Sequence, residues 1–337
     1  MKIIITGGAG FLGARLAREL LKRNSLSLRG QAAQRITRIV LADRAAPPAD
    51  LAADARVVSE VGDLFDQLAS TPANLLARHA DAAAVFHLAA AVSGECEANF
   101  ELGMRSNYAT THALLESCRA IKTQPLVFFA SSLAVFGQTP LLPVTLPVTD
   151  TTLPTPQSSY GIQKSIGEQL MADYGRKAFI TARSARLMTV SVRPGAPNGA
   201  ASGFFSGMIR EPLRGIESIV PVVPETQVAL SSPARTIEGI IRCAETSDAD
   251  WGPLTTLNLP AMTTTVGAMA DALKMIAGSA VAERLKWQKD SNIERIVSTW
   301  PARIASQRAN ALGLQADASF EDIVRAHIAE NHPEIKL

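Results

Sequence analysis

Cysteine is scarce in this sequence. Three occur in 337 residues, Cys96, Cys118 and Cys243, and none sits in a CxxC or Cys/His metal-binding spacing. A disulfide scaffold and a metal centre are therefore not expected, and a reduced, cytoplasmic setting is. Charge is sparse too: 19% of residues are charged, the net charge is +2, and Lys and Arg are scattered rather than blocked. No nucleic-acid surface is expected from that pattern. No apolar run is long enough to cross a bilayer, so no membrane partner is expected. The N-terminus passes straight into Lys2-Ile3-Ile4-Ile5, a pattern from which no secretory leader is expected. Apolar residues, by contrast, make up 47%, ample for a packed core. The length exceeds what one core usually holds, which predicts a large domain with a smaller appendage.

The first half alternates short apolar runs with helical spacing. Residues 2–6 read as a buried strand, and Phe11, Leu12, Leu16, Leu20 and Leu21 then repeat as on a helix. Further strands are expected at 36–42, 56–61, 83–88 and 125–130, with room for helices between them, such as 99–122. This rhythm predicts an α/β fold, a Rossmann-type doubly wound parallel sheet that binds its ligand beyond the strand ends. After residue 190 the rhythm changes. Residues 193–203 read as loop, 219–224 cannot be a central strand because of their prolines, and Thr265 should cap a helix over 266–277. A last helix is expected at 318–330. The expected division is a dinucleotide-binding domain over 1–190 and a mainly substrate-binding smaller lobe over 191–337, with room for a strand or helix of it to rejoin the first domain.

Three local patterns carry chemistry. Thr6-Gly7-Gly8-Ala9-Gly10-Phe11-Leu12-Gly13 lies between a strand and a helix. Its glycines permit a tight turn and close approach to a pyrophosphate, and the helix start supplies free N–H groups. Asp43 ends the second strand, where a carboxylate accepts from ribose hydroxyls and repels a 2′-phosphate. That favours NAD, although Arg44 beside it can welcome the phosphate. The polar stretch 24–35 reads as an insertion that separates Asp43 from the glycines. Third, Tyr160 and Lys164 are four apart at the start of an expected helix, so they share a face. An ammonium there is expected to lower the tyrosine pKa and make it a proton acceptor for an alcohol.

These patterns, in this order, resemble the extended short-chain dehydrogenases, the NAD-dependent epimerase/dehydratase family. The glycines at 7, 10 and 13 have that family's GxxGxxG spacing. The resemblance implies further roles. Asp63 and Leu64 would lie against the adenine, and Leu88, Ala89 and Ala90, after His87, would line the cofactor. The segment from Ser131 to Gly137 is similar to SSxxVYG, which aligns Ser132 with the catalytic serine or threonine; Phe136 replaces the usual tyrosine. His87 reads as a packed strand-end histidine. Asn107 matches the family's helix asparagine and is placed at the cofactor, with a buttressing role. Lys164 would also reach the nicotinamide ribose. The family implies a homodimer, through 99–122 and 160–177.

Three segments, 91–95, 155–161 and 191–198 with 209–212, are similar to the branch that oxidises a four-carbon sugar acid, D-erythronate, at C2. The expected substrate is a small sugar acid with its carboxylate on Arg193, helped by Ser93 or Asn198, and its C2 hydroxyl at Ser132 and Tyr160. Arg235 is a second candidate for the anion. The alternative is a sugar-nucleotide epimerase or dehydratase that recycles a tightly bound NAD. A non-catalytic NAD-binding protein is a third reading, disfavoured by the intact Ser132, Tyr160 and Lys164.

Overall fold

A computed structural model describes residues 1–69, 73–196 and 199–335. Seven strands form one parallel sheet. They are β1 (Lys2–Thr6), β4 (Arg38–Asp43), β5 (Val57–Val61), β6 (Ala82–His87), β7 (Leu126–Ser132), β8 (Thr181–Leu187) and β12 (Thr256–Asn258), in the order β5-β4-β1-β6-β7-β8-β12. Smaller sheets lie outside it. β2 (Ser25–Leu26) and β3 (Gln34–Arg35) fold the 24–35 insertion back on itself, and β9 (Thr189–Val190), β11 (Gln227–Ser231) and β13 (Met262–Thr265) form a three-stranded sheet. β10 (Ser218–Val220) pairs with β14 (Leu285–Trp287) and stops at Pro221. The longer helices are α1 (Phe11–Arg23), α2 (Thr110–Ile121), α3 (Ser159–Arg176), α4 (Gly203–Leu213), α5 (Pro233–Glu245), α6 (Val266–Ala277) and α7 (Phe320–Asn331).

The period of two along each strand loads both sheet faces. Ile3 and Ile5 face one side with Leu16 and Leu20 of α1 and Ile240 of α5. Ile4, between them, faces the other with Leu114 of α2 and Met171 of α3. A separate core gathers Phe205 and Met208 of α4, Met269 and Leu273 of α6, and Val324 and Ile328 of α7. The chain after 190 therefore divides. α5 and β12 return to the large sheet, while α4, α6 and α7 build the second core. Thr265 does cap α6, its hydroxyl accepting from Ala268 N–H.

The helix expected over 99–122 is interrupted. Phe100–Gly103 passes into a π-helical stretch, Met104–Ala109, before α2 begins. Sequence spacing alone does not distinguish a widened turn from a regular one.

Candidate active site

The sheet order reverses between β1 and β6, and ligands bind in the crevice such a reversal leaves. A cleft of about 410 Å³ opens there. At one end lies the glycine loop. Gly7 has φ +70°, and a Cβ on it would stand 2.8 Å from Ala89 N, so this turn takes glycine on both counts. A Cβ on Gly13 would fall 2.1 Å from the Gly7 carbonyl oxygen. Gly10 is the N-cap of α1 and carries no side-chain acceptor, and Phe11 and Leu12 follow it on the cleft wall. The positive end of the helix dipole is thus open to the cleft.

Asp43 closes β4. Its carboxylate accepts from Ala9 N–H and Ala45 N–H, both at 3.1 Å, which fixes it at the cleft rim beside exposed Arg44. Asp63 accepts from Phe65 N–H at 3.0 Å and from Arg105 at 3.2 Å; it and Leu64 line the same end. Leu88, Ala89 and Ala90 continue the wall from β6.

Behind that wall His87 is fully enclosed. Thr111 gives its hydroxyl proton to the Asn107 carbonyl at 2.6 Å, so Nε2 of His87 must donate to Thr111 (3.0 Å) and Nδ1 must accept from Thr6 (2.7 Å). Burial and the charge of Lys164 push its pKa down to about 3, so it stays neutral. The expectation that Asn107 meets the cofactor needs correction. Its side chain is 3% exposed and off the cleft wall. Its Oδ1 accepts from Ala91 N–H at 2.8 Å, and its Nδ2 donates to the Ala91 carbonyl at 3.2 Å and to Gln163 at 2.8 Å. It props the loop after β6 from behind.

At the other end, Ser131 and Ser132 leave β7 while Tyr160 and Lys164 enter on α3, and all four line the cleft. Ser158 caps α3 by accepting from Gly161 N–H at 3.2 Å. A Cβ on Gly161 would sit 2.1 Å from the Ala134 carbonyl oxygen, so glycine lets the helix start descend onto the turn after β7. That descent brings Tyr160 within hydrogen-bond reach of Ser132. The Lys164 ammonium donates to the Ala130 carbonyl at 2.8 Å and stands 5.7 Å from the Tyr160 ring centroid.

The tyrosine pKa runs opposite to the expectation. Burial dominates and pushes it up to about 12, against the Ser132 hydrogen bond and the positive charge of Arg193. Burial likewise pushes Lys164 down to about 8, opposed by Glu168. Below that pocket Glu168 and Arg186 form a buried pair, with Arg186 donating through Nε at 2.9 Å and Nη2 at 2.8 Å, and Ser131 adds its hydroxyl to Glu168 at 2.5 Å. Phe136, where a tyrosine is usual, lies 4.6 Å beneath the Arg186 guanidinium.

Arg193 reaches the cleft from the second lobe. Its Nη2 donates to Ser202 at 3.4 Å, and among the described residues no carboxylate pairs with it. Burial, with the charge of Arg210 adding to it, lowers its pKa, while Tyr160 raises it. Ser93 lines the cleft and accepts from Ala201 N–H at 3.1 Å. Arg235 is not there; it pairs with Glu238 one turn away on α5, 39% exposed, because its helix packs on the far side of the sheet. Asn198 falls outside the described residues. Reading along the sequence missed Ser202, Met188 and Trp300, which also line the cleft. Trp300 packs against Leu133 and Met188, a contact no local pattern announces.

Residues 3–226 match the NAD dependent epimerase/dehydratase family. The chain belongs to that family. NAD is accordingly its cofactor, and the residues present fit it: a side-chain-free turn, an uncapped helix start and a fixed rim carboxylate. A D-erythronate dehydrogenase of Cupriavidus necator is 48% identical over 331 residues, 98% of either chain. One of Haemophilus influenzae is 38% identical, over 97% of this chain and 99% of that one. The solved nucleoside-diphosphate-sugar epimerase of Agrobacterium tumefaciens superposes with a TM-score of 0.87 at 34% identity, covering 99% of this chain and 95% of its own.

Proposed function

We propose that this chain oxidises the C2 hydroxyl of D-erythronate, a four-carbon sugar acid, to the 2-oxo acid. One observation carries the substrate class. A partly buried guanidinium, without a carboxylate partner among the described residues, faces the reacting end of the cleft beside Tyr160. An anionic substrate compensates that charge, and the arginine fork matches a planar carboxylate.

The residues divide the work. Arg193 takes the carboxylate and thereby sets the orientation of a molecule too small to be held by area. Ser132 holds the C2 oxygen by a hydrogen bond. Tyr160 accepts the hydroxyl proton. It rests protonated, because its pKa is near 12, so it needs added positive charge to act. NAD, when bound, supplies both that charge and the acceptor for the hydrogen leaving C2. Lys164 is held by the Ala130 carbonyl and keeps an ammonium below Tyr160 at neutral pH, since its pKa is about 8. Trp300, Leu133 and Met188 wall the substrate end with apolar surface.

The setting we propose is cytoplasmic carbohydrate metabolism, supported by three free, buried cysteines. Among the described residues no helix is long and apolar enough to cross a membrane. We propose a homodimer through 99–122 and 160–177, where Phe100 is 58% and Ile162 47% exposed.

The test is NADH formation with a panel of tetronates, pentonates and nucleotide sugars. D-erythronate should give stoichiometric NADH. Conversion of a nucleotide sugar with no net NADH would replace this reading with the epimerase one.

A further inference from the structure

Arg193 is held at three points by one face of one helix. Ser202, Ser206 and Arg210 are spaced by four, so they form a stripe along α4 and its N-cap, about 12 Å long at the usual rise. Each meets a different group of Arg193. The Ser202 hydroxyl accepts from its guanidinium at 3.4 Å. The Ser206 hydroxyl accepts from its main-chain N–H at 3.0 Å. Nη1 of Arg210 donates to its carbonyl at 2.8 Å. The Ser191 hydroxyl adds a fourth tie, donating to the Phe205 carbonyl at 3.1 Å.

Packing does not ask for these side chains. Ser206 is 0% and Arg210 4% exposed, and Phe205, Met208 and Ile209 around them build the apolar core of the lobe. A buried guanidinium is costly where a methionine would fill the space. Its charge is met by Glu211, which accepts from Nε at 3.1 Å. The pair of arginines with one glutamate leaves a single positive charge uncompensated, and it is on the cleft side.

We infer that Ser206 and Arg210 are positioning residues for the substrate carboxylate, acting through Arg193: α4 presets the arginine fork, so the anion meets it in place. This rests on reading Arg193 as the carboxylate anchor. It also makes Ser202, which lines the cleft, a direct neighbour of the bound acid.

A double-mutant cycle tests it, with D-erythronate as the varied substrate and NAD affinity measured separately. Arg193→Ala is read first; if its KM for D-erythronate equals that of the wild type, the anchor reading fails and this inference with it. Given a raised KM there, Ser206→Ala should raise KM by up to about tenfold, the scale of leaving one buried main-chain N–H without its acceptor, with NAD affinity unchanged. Arg210→Lys should retain more of the wild-type KM than Arg210→Met. Added to Arg193→Ala, Ser206→Ala should change KM by less than about twofold, because the main-chain tie remains but the guanidinium it positions is gone. An equal loss in both backgrounds, or wild-type KM in both Ser206→Ala and Arg210→Met, would overturn the inference. Ser206→Ala is the mild member, so a folding failure of Arg210→Met leaves the cycle intact.

Discussion

The buried Glu168–Arg186 pair allows a stability prediction with a functional echo. Both side chains are nearly sealed, at 3% and 6% exposure. Glu168 receives two hydrogen bonds from Arg186 and one from Ser131. Glu168→Gln keeps the shape and turns one acceptor into an amide that faces the guanidinium. Arg186 then retains one bond to the remaining amide oxygen, the Asn258 side-chain oxygen at 3.3 Å and the face of Phe136, with no carboxylate charge to meet its own. Removing one partner of a buried pair costs about 3–5 kcal/mol, because the other charge stays in the interior. The isosteric change should fall near the lower figure, about 3 kcal/mol. With a urea slope of about 3 kcal/mol/M, the unfolding midpoint should drop by about 1 M at unchanged slope. Replacing both residues by methionine should recover most of that loss. Activity should respond too. Glu168 opposes the burial that depresses Lys164, so without it the lysine titrates below about 8. The corresponding limb of the pH–kcat/KM profile should move to lower pH. A midpoint drop under about 0.3 M would refute the reasoning, since hydrogen bonding alone would then hold Arg186.

Tyr160→Phe should lower turnover by about 10³-fold while NAD still binds, measured by NADH formation and by fluorescence titration; near-wild-type activity would remove the tyrosine from the mechanism. Asp43→Ala should weaken NAD by roughly tenfold and narrow the gap to NADP, with Arg44 beside it, as kcat/KM with each cofactor will show. Trp300→Ala should let five- and six-carbon aldonates turn over and lower kcat/KM for D-erythronate, because it opens the apolar wall. His87 sets an acid limit. Its folded pKa is about 3 and its unfolded value is 6.5, so the unfolded chain binds the extra proton as pH falls below 6.5. Stability from this group is full above 6.5 and should fall by about 2 kcal/mol between pH 6.5 and 5, a slope that His87→Gln should flatten in urea titrations.

The parallel sheet was legible because its signals are local. Apolar runs such as Ile3-Ile4-Ile5 and helical spacing such as Leu16 to Leu20 survive in any context. The glycine turn, the rim aspartate, and the Tyr160 and Lys164 face were legible for the same reason, and they line opposite ends of one cleft. What stayed hidden depends on docking. β12 has three residues, too few to show a period. Trp300 meets the cleft only because its loop folds over Met188. Arg193 and Arg235 look alike in sequence, and only the placement of α4 and α5 separates them. The direction of the Tyr160 shift is set by burial, which no i, i+4 spacing reports.

The seventh strand has a consequence for how the molecule is made. β12 pairs with β8 in parallel, Thr256 opposite Ser184 and Asn258 opposite Arg186. A chain emerging from the ribosome thus carries an open β8 edge until residue 258 is free. Until then Arg186 lacks Asn258, whose own N–H reaches Asp150 at 2.6 Å. The order of synthesis therefore leaves the Rossmann half waiting for a strand delivered by way of the other lobe. Such long-range closure slows folding and exposes a sticky edge meanwhile. A fragment ending near residue 190 would inherit that edge permanently and should aggregate, whereas one reaching past α5 and β12 closes the sheet.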